Sequence, residues 1–219
     1  MKKTIGVLGG IGPESSAEFY RRIIEKLQEK KYIKSNTDYP HIIINSIPAS
    51  ELLLKNPDLS MYKQGVKDLE NAGADFIVIV CNTAYIFLKE LQEEVSIPII
   101  DLKSEVEKEI QNLKVKSLAI FGSNRVVKQL FQFGKTKTIE LEDKELEILD
   151  KIIINYNAGI DKSKYERDLQ GLIDKYSKKA DFILIACTEL SSMTKNMKFN
   201  KMDTMDVMVN STTSRWLGS

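Results

Sequence analysis

Cysteine is scarce in this chain of 219 residues, which holds two, together with one histidine and one tryptophan. Two thiols build no disulfide framework, and a reducing compartment keeps them free. The single histidine, His41, opens an apolar run far in sequence from both cysteines, which speaks against Cys–His hydrolase chemistry. Two separated cysteines without clustered histidines also make no zinc site. Charge of one sign is equally lacking: 32 basic residues face 31 acidic ones, so no net field draws nucleic acid or an anionic membrane. No apolar run approaches the roughly 20 residues that span a bilayer. The start, Met1-Lys2-Lys3-Thr4-Ile5-Gly6-Val7-Leu8, has a basic flank, but glycines break its apolar stretch and a helix pattern follows it. The expectation is a cytoplasmic protein with no nucleic-acid or membrane partner.

What the chain does have is a repeat. Ala74-Asp75-Phe76-Ile77-Val78-Ile79-Val80-Cys81-Asn82-Thr83 returns as Ala180-Asp181-Phe182-Ile183-Leu184-Ile185-Ala186-Cys187-Thr188-Glu189. Six of the ten positions are identical, and each copy delivers one cysteine at the same offset, 106 residues apart. An apolar run of this length between polar flanks reads as a strand buried on both faces of a parallel sheet. Each cysteine then stands where a buried strand gives way to a polar turn, the place where ligands bind in open α/β sheets. A cysteine alone is more often a small buried hydrophobe; the flanks Asn82-Thr83 and Thr188-Glu189 favour a working thiol. Two lobes facing each other would set one thiol on each side of a substrate carbon.

The rest of the pattern alternates. Strands are expected at Ile5–Leu8, His41–Ile47, Ile97–Ile100 and Ser117–Phe121, besides the two copies of the repeat. Helices are expected from Pro13 to about Lys31, over Leu59–Ala72, Tyr85–Val95, Glu105–Leu113, Val126–Phe133, Glu142–Asn157, Tyr165–Lys179 and Asp206–Leu217. This is an α/β chain of parallel sheets flanked by helices, in two similar lobes with no long linker between them. Gly9-Gly10-Ile11-Gly12-Pro13 lacks the spacing of a dinucleotide fingerprint. Its glycines either let backbone N–H groups such as that of Gly10 approach a small anion, or simply make a tight turn. Glu189 can orient a substrate ammonium group or complement a helix N-terminus. Tyr85 and Phe87 are candidate walls of the cleft.

These residues assemble into a resemblance. Ile5-Gly6-Val7-Leu8-Gly9-Gly10-Ile11-Gly12-Pro13-Glu14, Cys81-Asn82-Thr83-Ala84, Cys187-Thr188-Glu189 and Asp203-Thr204 are similar to the motifs of the cofactor-independent aspartate/glutamate racemase family over the whole chain. The resemblance implies lobes of residues 1–101 with 205–219 and of 102–204, a cleft between them, and a homodimer. It implies racemisation of an acidic amino acid, a small-molecule substrate, without cofactor or metal. One cysteine, as thiolate, takes the α-proton and the other, as thiol, delivers one to the opposite face, Cys81 acting on the D- and Cys187 on the L-enantiomer. Gly10, Asn82, Thr83, Thr188, Glu189 and Ser50 would bind substrate. The aspartate-specific pattern is altered: Ser50 stands for its arginine, Asn157 for its lysine, Val126 for a threonine and Tyr85 for a histidine. A superfamily enzyme for a neutral amino acid, a hydantoin or a malonate, and a non-catalytic amino-acid binder, are the other readings.

Overall fold

The computed structural model describes residues 2–48, 50, 52–54, 56–160 and 162–218, with the side chains of 162–164 left aside. It divides into two compact units, Met1–Leu102 with Met208–Ser219, and Lys103–Val207. Each is built on its own parallel sheet.

In the first unit the strands are β1 (Ile5–Gly9), β2 (Ile42–Ser46) and β3 (Phe76–Ile79), in the order β2-β1-β3. β1 lies in the middle, with Ile5 opposite both Ile42 and Phe76. The unbroken apolar runs of β1 and β3 are buried throughout, as parallel strands covered on both faces must be. Helix α1 (Pro13–Glu29) presents Phe19, Ile23 and Leu27 inward, and α2 (Ser60–Asn71) presents Tyr62, Val66 and Leu69. α1 begins at Gly12, whose φ of 90° lies in the left-handed region, with Pro13 supplying a first-turn residue that needs no N–H partner.

The second unit holds β4 (Ser117–Phe121), β5 (Lys137–Ile139), β6 (Phe182–Ile185) and β7 (Lys201–Asp203), ordered β5-β4-β6-β7. Its core joins Phe121, Ile183 and Ile185 to Leu146, Leu149, Ile152 and Ile153 of α5 (Asp143–Asn157) and to Leu169, Ile173 and Tyr176 of α6 (Lys162–Tyr176). Further helices are α3 (Leu88–Gln92), α4 (Leu102–Asn112), α7 (Thr188–Thr194) and α8 (Thr204–Leu217). No helix among the described residues is long and apolar enough to cross a membrane.

Three expectations are corrected. The helix expected over Tyr85–Val95 is a 3-10 turn, Asn82–Phe87, followed by the short α3. Ile97–Ile100 makes a single bridge, Ile77 to Ile99, instead of a strand. The helix expected from Val126 to Phe133 is one π-helical segment, Val126–Leu130. The edge strands β5 and β7 carry three residues each, too few for an alternation to show.

A buried acid joins α5 to α6. Glu145 accepts the backbone N–H of Glu142 at 2.9 Å, the hydroxyl of Tyr176 at 2.5 Å and the ammonium of Lys175 at 2.6 Å. Burial works to raise the carboxyl, but these donors outweigh it and hold Glu145 below its ordinary 4.5. The Tyr176 phenol is pushed up to about 12, first by burial and then by its bond to Glu145. A carboxyl depressed by folding stabilises above its unfolded value and loses that contribution as pH falls through the folded one. The second unit should therefore weaken as pH drops below about 4.5, and urea unfolding at stepped pH should show that component removed in Glu145→Gln. Tyr176→Phe, which removes one donor to a charged acceptor, should cost about 1.5–3 kcal/mol.

Candidate active site

In both sheets the chain reverses its order of strand addition beside the strand that carries the cysteine. Within β2-β1-β3 the reversal falls between β1 and β3; within β5-β4-β6-β7 it falls between β4 and β6. The crevice beyond the carboxyl ends at such a point is where open α/β sheets bind ligands. Cys81 follows β3 and Cys187 follows β6. Both are extended, with φ −162°, ψ 116° and φ −155°, ψ 135°, and both precede a helical turn. The repeat thus builds the same strand end twice.

In the first unit, Gly10 follows the carboxyl end of β1, and the ladder to β3 runs on to a bond from Val80 N to Leu8 O at 2.9 Å, one residue before Cys81. Gly10 has φ 84°, and its N–H is donated to Ser16 Oγ at 3.0 Å. A side chain there would meet Ile47 O at 2.5 Å and Ile47 N at 2.6 Å. The glycine accordingly serves close packing of two backbones, and its N–H has an internal partner. Asn82 is buried and Thr83 half-buried in the 3-10 turn, next to the half-buried Cys81. Tyr85 points inward and is no wall: its hydroxyl accepts Ile79 N–H at 3.0 Å and faces Met208 Sδ at 3.9 Å. That bond draws the turn tight and explains why it is 3-10. Burial, then the proximity of Cys81 and Asp101, pushes the Tyr85 phenol up. Phe87 is half-buried at the end of the same turn. Ser50 lies in the connection from β2 to α2, where its hydroxyl bonds Asp58 O and its carbonyl accepts Tyr62 OH at 2.7 Å. Its neighbours Ala49 and Glu51, and Lys55, lie outside the described residues.

In the second unit, Cys187 is buried and donates from Sγ to Glu189 Oε2 at 2.8 Å. Thr188 Oγ1 donates to the same oxygen at 3.1 Å. Burial first, then the Glu189 charge and hydrogen bond, push the Cys187 thiol well up, against a smaller opposing effect of the Leu190 and Glu189 N–H groups. A side chain at Gly122 would stand 2.8 Å from Ala186 O, so the exits of β4 and β6 run against each other.

Asp203 and Thr204 brace this strand end. Asp203 accepts Ser191 Oγ at 2.6 Å and Met205 N–H at 2.9 Å, and Thr204 Oγ1 donates to Ile185 O at 3.0 Å. Ser191 in turn gives its N–H to Cys187 O at 2.9 Å. Sequence reading had no signal for Ser191, because only the fold brings β7 beside α7. Val126 is buried in the first turn of the π-helical segment, and Asn157 is exposed in the last turn of α5. Among the described residues no group of three or more His, Cys, Asp or Glu side chains could hold a metal ion.

Comparison with known proteins shows the family and the fold. The model of the Asp/Glu/hydantoin racemase family matches residues 8–212. The chain belongs to that family. It is an enzyme of the racemase class, an isomerase. It is 27% identical over 196 residues to the broad specificity amino-acid racemase RacX of Bacillus subtilis, covering 86% of each chain. Its fold is that of Picrophilus torridus aspartate racemase, with TM-score 0.82, 20% identity and coverage of 98% and 94% of the two chains. An aspartate racemase homologue from Pyrococcus horikoshii superposes with TM-score 0.76 at 24% identity over 98% and 99%. Glutamate racemase from Campylobacter jejuni shares the fold at TM-score 0.60 and 19% identity, over 97% and 85%.

Proposed function

We propose that this racemase inverts the α-carbon of amino acids without a cofactor, by two bases, Cys81 and Cys187, with aspartate and glutamate as the leading substrates. The observation that carries the reading is the duplicated strand end: two thiols in the same backbone conformation, each at the switch point of its own sheet. One thiolate removes the α-proton, and the other thiol returns one to the opposite face. Asn82, Thr83, Thr188 and Glu189 flank the thiols and bind substrate, while Gly10 shapes the floor beside Cys81. The enzyme works in the cytoplasm, where both thiols stay reduced, and as a homodimer, as the family resemblance implies. Incubation with single enantiomers of all common amino acids, followed by chiral chromatography, tests the proposal. Racemisation of aspartate or glutamate supports it, and saturable binding without turnover overturns it.

Selectivity among these substrates is shallow in this reading. Ser50 occupies the place of the arginine that clamps the side-chain carboxylate in aspartate-specific members, and a hydroxyl offers no bidentate charged partner. A charge-assisted hydrogen bond contributes about 1.5–3 kcal/mol, so its absence weakens aspartate binding by roughly tenfold or more. Ser50→Arg should raise kcat/KM for aspartate against alanine by about that factor. An unchanged ratio would place the carboxylate elsewhere. Strict aspartate specificity in the unmodified protein would direct attention to Lys55 or to Arg125, whose Nε donates to Gln129 Oε1 at 3.2 Å.

A further inference from the structure

Among the described residues no ion pair is formed by Glu189. This acid is 5% exposed, and both of its hydrogen bonds come from neutral donors, Cys187 and Thr188, on the one oxygen Oε2. Among the described residues no hydrogen bond reaches Oε1, and within the second unit the lysine pairs go to Glu105, Asp143, Glu142 and Glu145. Asp203 of β7, by contrast, uses both oxygens, Oδ2 for Ser191 Oγ and Oδ1 for Met205 N–H. A buried acid with only neutral donors is costly unless a cation joins it.

We infer that Glu189 is the counter-charge for the substrate's α-ammonium group, and that until this cation arrives it keeps the proton on Cys187. The inference rests on the amino-acid racemase reading above and adds to it how the second thiol becomes a base. In the empty site, loss of the Cys187 proton would set a thiolate beside a carboxylate at the 2.8 Å of the present hydrogen bond, two like charges out of water. Burial and Glu189 both oppose it. When an ammonium group docks on Glu189, its N–H groups donate to the carboxylate and its charge compensates the pair. The S–H bond of Cys187 then breaks, the electron pair stays on sulfur, and the proton passes to solvent. Binding and deprotonation are thus coupled, and the thiolate form binds the cation more tightly by the same factor. The device selects a substrate class, because amino acids with a free ammonium group operate it, whereas hydantoins and N-acylated amino acids carry no such cation.

The test uses Cys81→Ala, in which Cys187 is the only thiol left, and follows thiolate absorbance against pH. The probes are 2-methylaspartate and 2-methylalanine, which lack an α-hydrogen and cannot turn over, and N-acetyl-2-methylaspartate as the uncharged-nitrogen control. Without ligand, Cys187 should titrate above the ordinary cysteine range. A saturating 2-methyl amino acid should raise its acid dissociation constant about tenfold or more, and the N-acetyl compound should not. With Glu189→Gln added, the thiol should titrate lower without ligand and no longer respond. Titration of Cys187 at or below the ordinary range in Cys81→Ala overturns the inference, and this needs no change at Glu189. So does the absence of any shift with both 2-methyl amino acids up to their solubility limit, or an equal shift in the Glu189→Gln protein. Failure of the underlying reading is seen separately, as absence of racemisation by the unmodified enzyme while the thiol still responds.

Discussion

Cys81→Ser and Cys187→Ser should each lower racemisation by at least about a thousandfold, the scale of a lost general acid or base. A serine hydroxyl at neutral pH is far too weak an acid to supply the oxyanion in place of a thiolate. Each variant keeps one thiol, which in the proposed mechanism still serves one face of the α-carbon. In deuterated water each should therefore exchange the α-proton of one enantiomer while inverting neither, and the two variants should exchange opposite enantiomers. Mass spectrometry of the recovered amino acid reads the exchange, and chiral chromatography reads the inversion. Near-native inversion in either variant would rule out the two-thiol mechanism. Effects of groups that act as a unit do not add, so the double variant should be little worse than either single one.

Gly10→Ala should destabilise the first unit by about 2–5 kcal/mol. The left-handed backbone costs a side chain roughly 1–2 kcal/mol. Overpacking costs typically about 1–3 kcal/mol more, and here the added atom would stand 2.5 Å from a backbone oxygen and 2.6 Å from a backbone nitrogen of Ile47. Backbone cannot step aside as a flexible side chain can. The expected outcome is a fall in the Tm of that unit of roughly 8–20 °C, read by calorimetry, in which the two units can unfold as separate transitions. A variant that melts with the unmodified protein but loses only substrate affinity would show that the glycine serves the ligand directly.

How far the fold was legible depended on local signal. β1, β3, β4 and β6 are continuous apolar runs, which leave few alternatives, and α1 announces itself through Gly12-Pro13 and the spacing of Phe19, Ile23 and Leu27. What misled was tertiary. Tyr85 reads as part of a helix, but its hydroxyl reaches back to Ile79 N–H and tightens the chain into a 3-10 turn. Ile97–Ile100 has the composition of a strand, yet only Ile99 pairs, through the bonds from Ile77 N to Pro98 O and from Ile100 N to Ile77 O. β7 stands on three residues, of which Met202 and Asp203 are buried, a stretch too short to read alone. For the candidate site, the duplicated cysteines were visible because the same segment occurs twice. The role of Asp203 and Thr204 as braces was not, since Ser191 and Ile185 reach them only through the packing of β6, β7 and α7.

The duplicated strand ends are alike in backbone and unlike in chemistry: an acid, Glu189, two positions after Cys187, and Thr83 two positions after Cys81. Enantiomers are mirror images of equal free energy, so the equilibrium constant of a racemisation is unity whatever the catalyst. The Haldane relation then forces kcat/KM to be the same for both directions. If the two thiols are the bases, as proposed, their unlike surroundings cannot make this enzyme favour one hand of its product. They can only divide each direction differently between turnover number and Michaelis constant, the faster direction being the one that saturates later. The net flux between the two hands is left to whatever consumes one of them.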